Sequence, residues 1–198
     1  MIESIRAALD EASDALERLC QDEKQLKNIE GAASMLVTSL GTRGRAFSCG
    51  NGGSMCDAMH FAEELSGRFR SDRPAMAATA ISDPSYMSCV ANDYGYDQVF
   101  SRYVEANGRD GDILLAISTS GTSRSVVLAA IAAKAAGMRV IALTGREGSE
   151  LERHADVCIC TPGGQFADRA QELHIKVIHI LIEQVERALF PRNDVRVA

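Results

Sequence analysis

The chain has 198 residues and a formal net charge of −6, with 46% hydrophobic and 24% charged residues. This balance predicts one globular domain over residues 1–198 and excludes disordered, collagen-like and low-complexity classes. The acidic balance also disfavours nucleic acid and anionic membranes as partners.

No stretch approaches the roughly 20 consecutive apolar residues of a transmembrane helix. The first ten residues carry Glu3, Arg6 and Asp10, unlike a signal peptide. The six cysteines show no C-x-x-C spacing, so neither a zinc ribbon nor a thioredoxin motif is present. We therefore expect a cytoplasmic protein whose cysteines are reduced and mostly buried.

The first forty residues show two helical periodicities, one from Ile2 to Leu19 and one from Leu26 to Leu40. They predict an N-terminal helical hairpin over residues 1–42. Narrow apolar seams of this kind pack either against a partner helix or over the chain's own domain. The first alternative makes the hairpin an oligomerisation element, and the sequence leaves both open.

From residue 45 onward, short apolar runs alternate with helical stretches. This pattern predicts an α/β fold, a doubly wound five-stranded parallel sheet flanked by helices. In such sheets ligands bind at the carboxyl ends of the strands. The predicted strands are 45–49, 76–81, 112–117, 139–143 and 156–160. The predicted helices are 54–66, 84–106, 123–136, 147–154 and 168–189.

A glycine-rich segment, Gly50 to Ser54, follows the first predicted strand and opens a helix. Glycines permit positive φ and close backbone approach, and a helix start offers free N–H groups to an anion. The spacing matches neither G-x-G-x-x-G nor a Walker sequence, which disfavours NAD and ATP. An ordinary tight turn explains the same residues.

A hydroxyl-rich loop, Ser118 to Ser123, follows the third predicted strand and also opens a helix. It places five hydroxyls around one glycine. Capping by Ser123 accounts for one hydroxyl and turn chemistry for another. The remaining hydroxyls, together with backbone N–H groups, predict a site for a phosphate monoester.

Ionisable side chains are concentrated on two predicted helices. His60 and Glu64 lie at i, i+4 and so share one helix face. Gln171, His174 and His179 lie in an otherwise apolar run of the last helix. A histidine in such a run is more often a satisfied core residue than a ligand, and H-x-x-x-E alone is a common helical pattern.

Three strings carry a resemblance to a known family: G-N-G-G-S-M-C-D-A-M-H-F-A-E-E-L at 50–65, I-S-T-S-G-T-S at 117–123 and A-D-R-A-Q-E-L-H-I-K-V-I-H at 167–179. With S-C-V-A-N-D at 88–93, they resemble the phosphoheptose isomerases, which have the sugar isomerase (SIS) fold. The resemblance covers nearly the whole chain. It implies conversion of sedoheptulose 7-phosphate to D-glycero-D-manno-heptose 7-phosphate, the first step of ADP-heptose and lipopolysaccharide heptose synthesis. It also implies a homotetramer with active sites between subunits.

The resemblance further implies roles for individual residues. Glu64 and His179 would form the acid/base pair, and His60, Glu64, Gln171 and His179 would bind one zinc ion per subunit. The implied substrate contacts are Asn51, Gly52, Gly53, Ser54, His60, Glu64, Arg68, Asn92, Asp93, Ser118, Thr119, Ser120, Ser123, Asp168 and Gln171.

Two features of this ligand set are in tension with simple geometry. Gln171 and His179 lie eight residues apart, about 12 Å along one continuous helix, too far to reach one ion easily. Either the helix starts after Gln171 or the ligands come from different subunits. Glutamine is also an unusual zinc ligand, and metal ligation by Glu64 competes with its role as a base.

Other functions stay open at this point. A regulatory SIS protein that binds a sugar phosphate or the replication initiator needs the phosphate loop but no acid/base pair, so the ionisable residues favour the enzyme. An isomerase or aldolase for a shorter ketose phosphate is a further alternative. Arg70 and Arg73 are interpreted as a solvated loop and Cys56 as a packing residue.

Overall fold

Five strands form one parallel sheet in the order β2-β1-β3-β4-β5 in the computed structural model, which describes residues 1–164 and 166–191. Residues 165 and 192–198 of the predicted domain lie outside the described residues. The strands are β1 (Ala46–Gly50), β2 (Ala78–Ala80), β3 (Ile113–Ser118), β4 (Arg139–Thr144) and β5 (Val157–Cys160). The chain runs from β1 outward to β2 and then returns past β1 to β3. This switch in strand order places the loops after β1 and β3 side by side, where ligands bind in such sheets.

Helices cover both faces of the sheet, as predicted. Alternate residues of β3 divide between two cores: Leu115 belongs to the core that includes residues of α1, α2, α3 and α7, and Leu114 belongs to the core that includes residues of α4, α5 and α6. Burial on both faces explains why the strand sequences are almost continuously apolar. The helices are α1 (Ile2–Gln21), α2 (Glu23–Gly41), α3 (Gly53–Ser66), α4 (Pro84–Tyr94), α5 (Ser101–Asn107), α6 (Arg124–Ala135) and α7 (Asp168–Leu189).

Two predicted helices are wrong, and glycines explain both. The segment 84–106 is not one helix, because Gly95 has φ 88° and ends α4 before a 3₁₀ turn and α5. The segment 147–154 contains only a 3₁₀ turn, Leu151–His154, after Gly148 at φ 67°. Positive φ interrupts a right-handed helix, and residue periodicity does not reveal it.

The two helices of the N-terminal hairpin have different surroundings. Asp22 accepts a hydrogen bond from the N–H of Gln25 and caps α2. That helix buries residues such as Leu36 against the sheet, so it covers the chain's own domain. In contrast, α1 leaves Ile5 and Leu9 exposed at 52% and 65%. The first half of its apolar seam is therefore uncovered within the described chain, whereas Leu19 near its end is buried.

Side chains of α2 occupy the outer edge of β5. Asn28 Nδ2 donates to the carbonyl of Cys158 at 2.8 Å, and Gln25 Oε1 accepts from the N–H of Cys160 at 2.9 Å. Gln25 is only 2% exposed although it is polar. Backbone groups at a sheet edge need partners when they are buried, and here two amide side chains supply them.

The cysteines are free thiols, but the prediction that most are buried is wrong. Cys20, Cys56 and Cys89 are exposed, and only Cys49 is fully buried, where burial raises its pKa to about 12. Cys56 therefore does not pack in the core of the single chain.

None of the helices in the described ranges combines the length and apolar character that a bilayer crossing requires.

Candidate active site

The turn between β1 and α3 requires glycine for reasons of space. A Cβ on Gly50 would lie 2.6 Å from the carbonyl oxygen of Ser54, and Gly52 has φ 56° as the residue preceding α3. These two positions are explained by the turn itself. Gly53 is different, because a Cβ there would lie 2.6 Å from Nε2 of Gln171. A side chain of α7 thus approaches the backbone at the start of α3.

Asn51 joins this turn to the first turn of α6, which directly follows the hydroxyl-rich loop. Its Nδ2 donates to Ser125 Oγ at 3.0 Å, and its Oδ1 accepts from the Tyr96 hydroxyl at 2.8 Å. Sequence reasoning missed both partners. Ser125 continues the run of hydroxyls that begins at Ser118, which is a usable signal. No local pattern indicates Tyr96, because its contact spans 45 residues.

Four hydroxyls of the segment 118–123 converge on one another, those of Ser118, Ser120, Thr122 and Ser123. Ser118 Oγ donates to Ser123 Oγ at 3.2 Å and lies 3.4 Å from Ser120 Oγ. Thr122 donates to Ser120 Oγ from both its N–H and its hydroxyl, at 3.2 and 3.1 Å. Ser123 precedes α6, but its side chain makes no capping hydrogen bond. The cluster therefore forms a compact group of hydroxyls beside a helix start, as an anion site requires.

A second cluster, formed by His60, Glu64 and His179, joins α3 to α7. His60 Nε2 lies 2.9 Å from His179 Nε2 and 3.4 Å from Glu64 Oε1. One ligand atom from each of the three residues lies within 4.8 Å of the others. Glu64 is 16% exposed at its side chain and His60 is 37% exposed, so the group is sheltered but reachable. The i, i+4 spacing predicted the first pair, and helix packing adds His179.

Burial controls the electrostatics around this cluster. It lowers the pKa of His179, and the nearby His60 lowers that pKa further. Both effects favour the neutral imidazole, which can accept a proton at one nitrogen and donate one at the other. Asp57, one turn before His60 on α3, has its pKa raised to about 6 by burial. Its buried Oδ2 has no hydrogen-bond partner among the described residues, and sequence reasoning missed it.

The acid/base cluster and the loops lie at different positions along α3. Gly53 meets Gln171 at the start of the helix pair, while His60 meets His179 two turns further along both helices. Because α7 begins at Asp168, the alternative that it starts after Gln171 is excluded. Gln171 and His179 are therefore about 12 Å apart along one helix axis. Joint ligation of one ion by both residues would require a second subunit.

Four other predicted site residues are exposed in the single chain. Arg68 follows the end of α3, and Asp168 begins α7, where its carboxylate accepts from the N–H of Arg169 at 2.9 Å. Asn92 and Asp93 contact each other in the last turns of α4 at 2.8 Å. Their assignment to the substrate site stays a prediction.

Arg73 is not part of a solvated loop, and that interpretation is wrong. Its side chain is 0% exposed and its Nε donates to Glu186 Oε1 at 2.8 Å. The guanidinium also donates to the backbone carbonyls of Glu64 at 2.6 Å and Leu65 at 2.7 Å. These are carbonyls of the last turns of α3, which lack partners inside the helix. Arg73 thus holds the helix end that carries Glu64, whereas Arg70 is exposed as expected.

The donor set of His60, Glu64 and His179 fits a divalent transition metal. Two imidazole nitrogens and one carboxylate oxygen form a ligand set that zinc uses in catalytic sites, with further positions left for water or substrate. The three ligand atoms already lie close together, and the pKa shift of His179 toward the neutral form suits ligation. These three residues are the candidate ligands within one chain.

Comparison with known proteins shows which family this chain belongs to. A family model described as SIS domain matches residues 9–145. A phosphoheptose isomerase of Aeromonas salmonicida is 59% identical over 187 residues, which cover 94% of this chain and 97% of the relative. The solved phosphoheptose isomerase of Neisseria gonorrhoeae has a TM-score of 0.86 at 37% identity and covers 93% of this chain and 97% of its own. That of Francisella tularensis has a TM-score of 0.88 at 31% identity, covering 94% and 98%. The chain belongs to the phosphoheptose isomerases, a family of isomerases within the SIS domain class.

Proposed function

We propose that this isomerase converts sedoheptulose 7-phosphate to D-glycero-D-manno-heptose 7-phosphate in the cytoplasm, as the first step of ADP-heptose and lipopolysaccharide heptose synthesis. The observation that carries the proposal is the meeting of Glu64, His60 and His179 within 4.8 Å in a chain of this family. The free thiols of all six cysteines are consistent with a reducing compartment.

Moving a carbonyl from C2 to C1 requires one group that removes a proton from carbon and another that moves protons between oxygens. Glu64 is the candidate base at carbon, because a carboxylate accepts and returns a proton without further partners. His179 is the candidate for the oxygen atoms, since a neutral imidazole both donates and accepts. Zinc, held by His60, Glu64 and His179, would act as a Lewis acid toward the developing oxyanion. Gln171 stays a proposed fourth ligand from another subunit.

The hydroxyl-rich loop would hold the phosphate of the substrate. Its hydroxyls converge beside the start of α6, and Asn51, in the turn before α3, donates to Ser125 in the first turn of that helix. Fixing the phosphate sets the register of the open sugar chain relative to the acid/base groups. Of the remaining predicted contacts, Gly52 and Thr119 lie in these two loops, and Gly53 and the buried Ser54 begin α3.

Ser120→Ala should weaken substrate binding by about 1–3 kcal/mol, because it removes a hydroxyl that would bond a charged phosphate oxygen. We expect a higher KM with little change in kcat. Thr122→Val is a matched control, since it removes a neighbouring hydroxyl that donates to Ser120 Oγ and should have a smaller effect. Kinetic constants of Ser120→Ala equal to those of the parent would remove Ser120 from the site.

A homotetramer with sites between subunits would resolve the separation of the two clusters. From Gly53 to Glu64 the rise along α3 is about 16 Å. An extended seven-carbon sugar phosphate is only about 10 Å long, given carbon–carbon bonds of about 1.5 Å. One copy would therefore supply the loops and another the acid/base groups. The uncovered first half of the apolar seam of α1 supports such an assembly.

Mixing two inactive variants tests the shared site. Glu64→Gln removes the base, and Ser120→Glu places a negative charge where the phosphate would bind. If a site combines Glu64 of one subunit with Ser120 of another, mixed oligomers contain some sites in which both residues are intact, so activity returns after the variants are unfolded and refolded together. Sites built within one chain would give no recovery.

Proton NMR with sedoheptulose 7-phosphate in deuterated water tests the reaction itself. We expect an aldoheptose phosphate that carries deuterium next to the aldehyde, wherever the abstracted proton exchanges with solvent. Chelation should abolish turnover and zinc should restore it. If no aldose forms and no deuterium enters the sugar under any metal condition, the isomerase proposal fails and the regulatory alternative takes its place.

A further inference from the structure

His174 is a fully buried histidine on α7 that the proposed chemistry does not use. It is 0% exposed, and its Nε2 lies 3.2 Å from the carbonyl oxygen of Thr144 at the end of β4. Because a carbonyl only accepts, Nε2 must carry the proton and donate it. Nδ1 is buried with no hydrogen-bond partner among the described residues. Burial lowers the pKa of His174 to about 4, so the ring is neutral.

The peptide between Thr144 and Gly145 connects α7 to the hydroxyl-rich loop. The Thr144 carbonyl accepts from His174 and from two groups of Thr161, the N–H at 2.8 Å and the hydroxyl at 3.3 Å. The N–H of the same peptide unit, on Gly145, donates to the carbonyl of Thr119 at 2.9 Å. This planar peptide group is therefore held at its oxygen by α7 together with Thr161, and its nitrogen holds the hydroxyl-rich loop. Hydrogen bonds to a carbonyl also strengthen the donor at the other end of the amide.

The space around this peptide is tight on both sides. A Cβ on Gly145 would lie 3.0 Å from the carbonyl oxygen of Thr119 and 3.0 Å from Cβ of Ala170 on α7. The loop and the first turn of α7 therefore both press on residue 145. A small shift of the peptide moves Thr119, because packed interiors transmit displacement.

We propose that His174 is a positioning residue that fixes the hydroxyl-rich loop for phosphate binding, acting through the Thr144–Gly145 peptide. A purely packing role does not account for histidine here. Leucine would fill the same interior without leaving a buried nitrogen unpaired, which costs free energy. The donor at Nε2 is what distinguishes histidine from an apolar residue at this position. The inference rests on the proposed phosphate-binding role of the loop.

Two substitutions separate the donor from the packing. His174→Leu removes the N–H, and His174→Gln keeps an N–H donor at a similar distance from the backbone. We expect His174→Leu to raise KM for sedoheptulose 7-phosphate about tenfold, the effect of one hydrogen bond, with kcat within about twofold of the parent. His174→Gln should restore most of the parent KM. Val177→Ala, a buried truncation one turn away, controls for lost packing and should leave KM unchanged.

Amide hydrogen exchange of the substrate-free protein gives a readout that does not need activity. The Gly145 N–H should exchange faster in His174→Leu than in the parent and in His174→Gln. Gly145→Ala approaches the same peptide from the loop and should raise KM as well. The double variant Gly145→Ala, His174→Leu should raise the logarithm of KM by less than the sum of the two single increases, because both substitutions act through one peptide.

These outcomes separate two kinds of failure. If the parent is inactive but the Gly145 N–H still exchanges faster in His174→Leu, the proposed function is refuted. The connection from α7 to the loop is then retained. An active parent with equal KM and equal Gly145 exchange in all His174 variants would overturn the inference. The same holds if kcat falls with KM unchanged, because that pattern belongs to the acid/base cluster.

Discussion

Glu64→Gln should lower turnover by about 10²- to 10⁴-fold, the usual contribution of a positioned general base. Glutamine has nearly the same volume as glutamate but accepts no proton at neutral pH. The fold should persist, because Arg73 binds the backbone carbonyl of residue 64 rather than its carboxylate. Deuterium incorporation and aldose formation followed by NMR measure the loss, and circular dichroism checks the fold.

Glu63→Gln is the matched control for this experiment. It makes the same change of charge on the same helix, and the Glu63 carboxylate lies 3.7 Å from His60 Nδ1. Its side chain is 63% exposed, so it lies outside the sheltered group. We expect nearly full turnover from this variant. Similar losses in both variants would show that the general charge near His60 matters rather than a base at Glu64.

Arg73→Met should destabilise the protein by about 3–5 kcal/mol, because it leaves the carboxylate of Glu186 buried without its partner. The substitution also removes the donors to the carbonyls of Glu64 and Leu65. Urea unfolding at one fixed protein concentration measures the change, since assembly would otherwise alter the apparent stability.

Arg70→Met provides the control for a surface ion pair. Arg70 contacts Glu183 at 2.9 Å but is 61% exposed, so its loss should cost less than about 1 kcal/mol. The double variant Arg73→Met, Glu186→Leu should recover much of the lost stability, because it removes the uncompensated charge. A loss below about 1 kcal/mol for Arg73→Met alone would contradict the assigned role.

Much of the fold was predictable because strands that are buried on both faces of a sheet have almost continuously apolar sequences. The apolar run Ile113 to Ile117 predicts a central strand, and β3 occupies that place. Arg73 could not be placed in this way. It ends a basic run typical of a solvated loop, and its buried partner Glu186 lies 113 residues away.

Part of the candidate site was likewise predictable from the sequence, and part was not. His60 and Glu64 share a helix face by spacing alone, and the hydroxyls of residues 118–123 are visible as a cluster in sequence. The meeting of His179 with His60 depends on how α3 packs beside α7, which spacing within either helix does not encode. The resemblance to the family supplied that residue. Neither the residue spacing nor the resemblance indicated Asp57, whose burial is a property of the packed structure.

The amide side chains of Gln25 and Asn28 close the β5 edge of the sheet. An open edge strand is a template for pairing with another chain, which leads to fibres and aggregates. Here the carbonyl of Cys158 and the N–H of Cys160 already have hydrogen-bond partners, so they are not free to pair with a strand of another chain. Copies of the chain that meet on this side must do so through helix surfaces, and association can stop at a closed oligomer instead of growing without limit.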